Sequence, residues 1–355
     1  MLKSSSILTS LVTSGLMALP LQAFSDEAQQ SNLKATDHAP IGVMGDHLHK
    51  KGEFMFSYRF MQMSMSGNLQ GSDSISDDDI VTSVTAPNSS MNYVRVVPQT
   101  MTQNMHMLGF MYAPTDHVTL MAMVNYIDND MTLTTYSGAS GTTVLDNFNT
   151  ASSGLGDTKL TMLYSLIDTP EHKFHVNLGW VLPTGSIEET DQVLTPMNML
   201  TNLRLPYSMQ LGGGSHRAEF GLTYNGNKDN LSWGAQGLYN LALSENDEDY
   251  ETGKTLKLST WANYGFSDAV SATARLTYNK TQEIVGEDEN LTAPVTTANP
   301  ANYGGTLLMA AIGINTVIAN KHRVAFEYEI PVIQDVNGVQ MEMDNMFTIG
   351  YQLAF

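Results

Sequence analysis

The feature that most constrains this chain is a two-residue period that returns from one end to the other. Phe54, Phe56, Tyr58 and Phe60 alternate with Met55, Ser57, Arg59 and Met61. The same alternation places Val118, Leu120, Val124 and Tyr126 on one parity, and likewise Phe174, Val176, Leu178 and Trp180. It returns at Phe220, Leu222 and Tyr224, and at Val324, Phe326, Tyr328 and Ile330. Successive side chains of a strand point to opposite faces, so each segment predicts a strand with one apolar face. About twelve segments have the ~9–11 residues that a tilted membrane-spanning strand needs. They fall near 53–66, 100–113, 117–128, 156–167, 172–182, 216–225, 231–242, 254–265, 269–280, 306–318, 322–331 and 341–355.

The connections alternate in length. Short ones lie at 113–116, 168–171, 225–230, 266–268 and 319–321. Long ones lie at 67–99, 129–155, 183–215, 243–253 and 281–305, with a shorter one at 332–340. Short turns on the periplasmic side and longer loops on the other are the plan of an outer-membrane barrel. The sequence therefore predicts an all-β fold, a transmembrane antiparallel up-and-down β-barrel of about twelve strands, an even number. No stretch has 18 consecutive apolar residues, so no spanning helix is expected.

The two ends of the chain agree with export to the outer membrane of a Gram-negative bacterium. The last ten residues, MFTIGYQLAF, alternate and finish on Phe355. They are similar to the C-terminal strand of bacterial outer-membrane proteins, which implies the barrel-assembly machinery as a partner. At the other end Lys3 precedes an apolar run from Ile7 to Leu19, which reads as a signal peptide cleaved near Ala23. Three parts result: a signal peptide at 1–23, a periplasmic N-terminal segment at 24–51, and a barrel at 52–355. A net charge of -19 argues against a nucleic-acid partner. With no cysteine, the chain has no thiolate metal site and no disulfide.

Lipid offers no hydrogen-bond partner, so the apolar parity must face outward and the other parity the lumen. The first segment then sends Met55, Arg59, Met61, Met63 and Met65 inward. The second sends Met101, Met105, Met107 and Met111, and the third Met121 and Met123. A methionine-rich lumen wall results. The remaining wall is polar and charged, with Arg275 and Glu327 among its members. Three readings of the methionines stay open: packing, a path for apolar or aromatic solutes, or a soft-metal relay for Cu(I). In the relay, Met61, Met63, Met65, Met105 and Met107 would be the ligands.

Before the first strand, DHAPIGVMGDHLHKKGE offers His38, Met44, Asp46, His47 and His49. Imidazole suits copper, zinc or nickel, although the spacing is not a zinc signature and loop histidines are commonly just solvated. The segment is long enough to fold up into the periplasmic mouth as a plug. Acidic runs at 72–79, 187–191, 245–251 and 283–289 read as solvated outer loops that raise local cation concentration. An enzyme is not expected. No Gly-x-Ser-x-Gly elbow exists, and parity turns His106 and His216 away from the lumen.

Several stretches carry a family resemblance: GLGD at 154–157, LPTG at 182–185, and LGGGS at 211–215 followed by GLTY at 221–224. With HAPIGVMGDHLHKKGEFMFSYRFM at 38–61, they resemble the outer-membrane family labelled as components of a MetA pathway of phenol degradation. The resemblance covers most of the mature chain and implies a transporter-like barrel, with no catalytic residues carried over. The expectation is a channel or substrate-selective transporter for a small apolar or aromatic solute, with no resident cofactor. A copper-binding barrel using lumen methionines and N-terminal histidines is the alternative, and a structural barrel with a filled lumen the second.

Overall fold

The computed structural model describes residues 33–86 and 89–355. The expected signal peptide and residues 24–32 lie outside them. Antiparallel strands follow one another around a ring, and the first strand, Phe54–Gly71, closes on the last, His322–Ala354, through pairs such as Met55 with Ala354. Between them come Val96–Thr115, Val118–Tyr136, Thr158–Asp168, His172–Leu182, Arg217–Lys228, Leu231–Ala242, Thr255–Ser267, Val270–Thr281 and Gly305–Ile318. These eleven hydrogen-bonded runs complete the barrel. Val144–Leu155 shares a position with Thr158–Asp168, since both pair with Val118–Tyr136, one above the other.

The run count differs from the expected twelve because of the last element. His322–Ala354 is one run of 33 residues. It pairs with Gly305–Ile318 through its first half and with Phe54–Gly71 through its second. His322 Nδ1 lies 2.7 Å from the Tyr351 hydroxyl, and Gln334 and Met343 exchange hydrogen bonds of 3.0 and 2.9 Å. The halves therefore lie side by side, with Gly338 at φ +58° where the chain reverses.

Burial follows the expected parity. Phe56, Leu108, Leu120, Tyr126, Trp180, Phe220, Leu258 and Phe326 are exposed, while their neighbours Met55, Met107, Met121, Met123, Glu219, Ser259 and Glu327 are buried. An exposed apolar face this broad is what hydrocarbon requires. The face ends sharply. After Tyr126 the same parity of Val118–Tyr136 carries exposed Asp128 and Asp130, and after Phe60 the first strand's carries Gln62, Ser64 and Ser66. The strands nevertheless continue. Val96–Thr115 and Val118–Tyr136 have 20 and 19 residues, about twice what crossing needs. Much of the loop expected at 129–155 is thus strand, projecting past the apolar band.

Two connections show how local chemistry sets the ends. The turn after Gly305–Ile318 uses Ala319 and Asn320, both at positive φ, as a tight hairpin of right-handed twist requires. In the opposite loops, the acidic run at 72–79 starts a helix, Asp77–Ser83. Ser76 caps it by accepting from the Asp79 amide at 3.2 Å, and three aspartates face the positive end of the helix dipole. The run is thus partly helical where a loop was expected, with Asp73, Asp78 and Asp79 exposed. No helix among the described residues is long and apolar enough to cross a membrane.

Candidate functional site: a lumen occupied at both ends

At the end carrying the short turns, residues 35–49 pack largely buried against barrel side chains, with Lys34, Asp37 and Lys50 exposed. A segment with no secondary structure must find partners for its carbonyls when buried. Barrel side chains supply them. Ser271 donates to Ala35 O at 3.0 Å, Ser232 to Thr36 O at 2.8 Å, and Asn263 to His38 O at 2.9 Å. Gln236 donates to Met44 O, His175 and Asn177 to Gly45 O, and Asn225 to Asp46 O. Arg323 reaches Ala39 O. Gly42 sits against a buried ion triad in which Arg275 bridges Glu327 and Glu329. A Cβ on Gly42 would collide with both Glu327 and Arg275.

The expected ligands in this segment divide. His38, Asp46 and His47 offer donor atoms that all lie within 4.8 Å of one another. The His49 ring stands 4.9 Å from that of His47, edge to face. Burial, with His47 and Arg323 alongside, pushes the His38 imidazole well below its usual range. Burial also opposes charge on Asp46. Even so, the charge and hydrogen bond of His47, with help from His38 and Arg323, hold its carboxyl well below the usual carboxylate range. Met44 does not join this group. It packs with Leu48 against the inward methionines.

Those methionines form two groups rather than one wall. Met55, Met107, Met111, Met121 and Met123 are buried with Leu163, flanked by Met61 and Met105, and the N-terminal segment covers them. Arg59 is buried on the same face. Met101 belongs to a second cluster at the loop end, with Met131, Leu133, Leu205, Met209, Leu291 and Val295. Residues 205–209 and 291–298 come from two different loops, and there they cap the barrel. Their edges are held by Tyr207, which meets Tyr250 and Tyr303 edge to face at 4.7 and 5.5 Å, and by Arg204, which bridges Glu248 and Asp288. Met131 and Met209 escaped the sequence reading because both lie in stretches taken as loop.

Between cap and core is open space. One cavity of ≈ 230 Å³ is lined by Met63, Met65, Met101, Met341, Gln103 and Tyr303, among others. A second, of ≈ 370 Å³, shares Met63, Met65, Gln340 and Met341 with it.

The three glycine motifs meet in one knot at the root of the cap. Asp157 accepts from the Gly185 amide at 3.1 Å and the Gly213 amide at 2.9 Å. Thr184 donates to Gly156 O at 2.8 Å. Gly185 and Gly212 approach so closely that a Cβ on Gly185 would meet the Leu211 carbonyl at 2.5 Å. GLGD, LPTG and LGGGS are therefore one structure, which ties the long loop at 183–216 to the barrel rim. Residues 85–307, more than half of the chain, match the family described as "Putative MetA-pathway of phenol degradation". This chain belongs to that family.

No curated protein matches the sequence. Among solved structures, an outer-membrane channel from Pseudomonas putida F1 is 13% identical, with a TM-score of 0.58 over 88% of this chain and 98% of that one. The fold of this MetA-pathway family member is accordingly that of an outer-membrane β-barrel. The β domain of the Bordetella autotransporter BrkA is similar at a TM-score of 0.45 and 8% identity, covering 86% of this chain and 100% of that one. A mutant of the TodX monoaromatic hydrocarbon channel stands at 0.43 and 10%, covering 87% and 91%.

Proposed function

We propose that this chain is an outer-membrane channel for small, weakly polar solutes, aromatic ones above all. The observation that carries this reading is the cavity beneath the cap. Its thioethers and Tyr303 make a soft, adaptable lining, and methionine sulfur contacts aromatic rings favourably. Cavities that hold small molecules combine such an apolar lining with a few polar groups, as Gln103 and Gln340 supply here. Family membership and the barrel fold agree with transport. An enzymatic role finds no support in the histidines: His106 and His216 sit exposed beside Tyr58 and Trp180.

In this reading the lumen wall is methionine-rich, and the N-terminal segment is the plug of the periplasmic end. Counting the doubled run His322–Ala354 as two staves gives twelve, the even number that puts both chain ends on one side. Phe355, exposed beside Phe56, would present the C-terminal strand to the assembly machinery, after export directed by residues 1–23.

The test is solute flux into liposomes carrying the refolded protein, comparing phenol with a sugar of similar size and with an anionic aromatic acid. Preferential phenol entry that falls when Met63 and Met65 are both changed to Asp is the expected result. Equal entry of all three solutes, unaltered in the variant, would overturn the reading.

A further inference from the structure

The geometry points to a transition-metal site within the N-terminal segment, formed by His38, Asp46 and His47, with His49 as the neighbouring fourth donor. It stands independently of what passes through the channel, since its test is metal content and not flux.

Sequence spacing alone does not bring these residues together. His38 and His47 are nine positions apart, and the fold of the segment closes that gap. A turn in which the Val43 amide donates to Pro40 O at 2.9 Å begins the reversal, and Gly45 at φ +62° completes it. Barrel side chains fix both arms, Asn263 through His38 O and Asn225 through Asp46 O. Asp46 is oriented from two sides. Its Oδ2 accepts from the Ala39 amide at 2.9 Å, and its Oδ1 lies 2.8 Å from His47 Nδ1.

Ligating capacity is left over. His38 Nδ1, His47 Nε2 and His49 Nε2 are buried, and none has a hydrogen-bond partner. His38 and His49 are themselves only 5% and 7% exposed. A ring placed there for packing alone would normally have both nitrogens satisfied. Two unsatisfied imidazole nitrogens beside one pocket, with a third on the neighbouring His49 ring, are better explained by something they are meant to hold. The room is present too. A small cavity of ≈ 50 Å³, lined by His38, His47, Thr36, Trp261, Asn225 and Asn263, adjoins the cluster.

The donor set selects the ion. Two or three imidazoles and one carboxylate suit Zn(II), Cu(II) or Ni(II), whereas Ca(II) and Mg(II) want oxygen and Cu(I) wants sulfur. With bonds of ~2.0–2.1 Å, tetrahedral ligand atoms stand about 3.4 Å apart, so the donors need to draw in by roughly an ångström. Rotation about the histidine side-chain bonds accomplishes that. Once bound, the ion clips residue 38 to residues 46–47. It thereby fixes the loop between them, the part of the segment that meets Arg275 and the methionine cluster.

The experiment uses the full mature chain, refolded in detergent, stripped with chelator and titrated calorimetrically with Zn(II) and with Cu(II). One equivalent should bind, and binding should weaken by more than about a hundredfold in H38A/H47A, beyond what loss of a merely supporting residue costs. It should survive in H106A/H216A, which removes two exposed histidines of the outer face. Failure of the wild type to bind either metal stoichiometrically would overturn the site, as would unchanged affinity in H38A/H47A. Should that variant not refold, carbethoxylation of the wild type followed by mass spectrometry decides. Protection of His38 and His47 by Zn(II) supports the site, and equal labelling with and without metal refutes it.

Discussion

The two ends of this barrel are closed by opposite chemistry. At the turn end an irregular segment is held by polar side chains that donate to its carbonyls, with a buried ion triad beside Gly42. At the loop end, residues from two loops pack by apolar contact around Met101, Leu205 and Met209. A polar lattice demands geometry, because each donor left without its acceptor costs free energy, whereas an apolar cluster tolerates sliding and repacking. The turn end is therefore built to hold one position. The loop end is built to yield, and the cavity lies beneath it.

The largest effect should come from the lattice. Arg275→Ala leaves Glu327 and Glu329 buried without their cation, and breaking such a pair costs ~3–5 kcal/mol. Urea unfolding of the refolded barrel should show that loss, and proteolysis should begin to cut within residues 33–50. If stability drops but the segment stays protected, the triad serves the barrel alone. Leu205→Ala should come next, at about 2–5 kcal/mol for a fully buried leucine. Here the contrast would break if the change opened the turn end to protease. The expected outcome is faster phenol flux with the segment still protected.

Smaller effects sharpen the same contrast. Asn263→Ala removes one donor to His38 O, worth about 0.5–1.5 kcal/mol, and should leave the segment in place because its neighbours still hold it. Alkaline pH should act on the cap alone. Burial, helped by Asp288 and Glu287 nearby, pushes the Tyr207 phenol up to about 12. A group whose pKa is raised on folding contributes stability below its unfolded value near 10, and that contribution fades as pH climbs toward 12. Flux should therefore rise across that window while proteolysis at 33–50 stays constant. A cap that ignores pH would mean Tyr207 ionises without leaving its place.

The strands were legible because lipid enforces one rule on every residue of a face. Phe54, Phe56 and Tyr58 could not be read as anything but outward. The rule stops where the membrane does. Beyond Tyr126 the outer face turns to Asp128 and Asp130, and the strand continues to Tyr136 with its apolar residues, Met131 and Leu133, on the buried parity. Parity assigns the methionines a side, but it says nothing about height. Met101 and Met107 therefore read as one wall, although they belong to different clusters. Likewise the glycine motifs were visible as turn signals. Their meeting at Asp157 was not, because it joins two connections and folds one of them back on itself. His38 and His47 posed the same difficulty, solved only by the turn at Pro40–Val43.

The pairing of Met55 with Ala354 has a consequence for folding kinetics. Nearly all neighbouring strands are hairpins, which can form as soon as their own residues are available. The seam alone joins partners about 300 residues apart, and contacts of that separation are the slow ones in any chain. Until residues 339–354 dock, the sheet is an open ribbon with two unpaired edges, each a template for a foreign strand. Deleting those residues should therefore yield oligomers joined edge to edge, and not a smaller barrel. The rate at which the seam zips would set how long the nascent protein is exposed to that error.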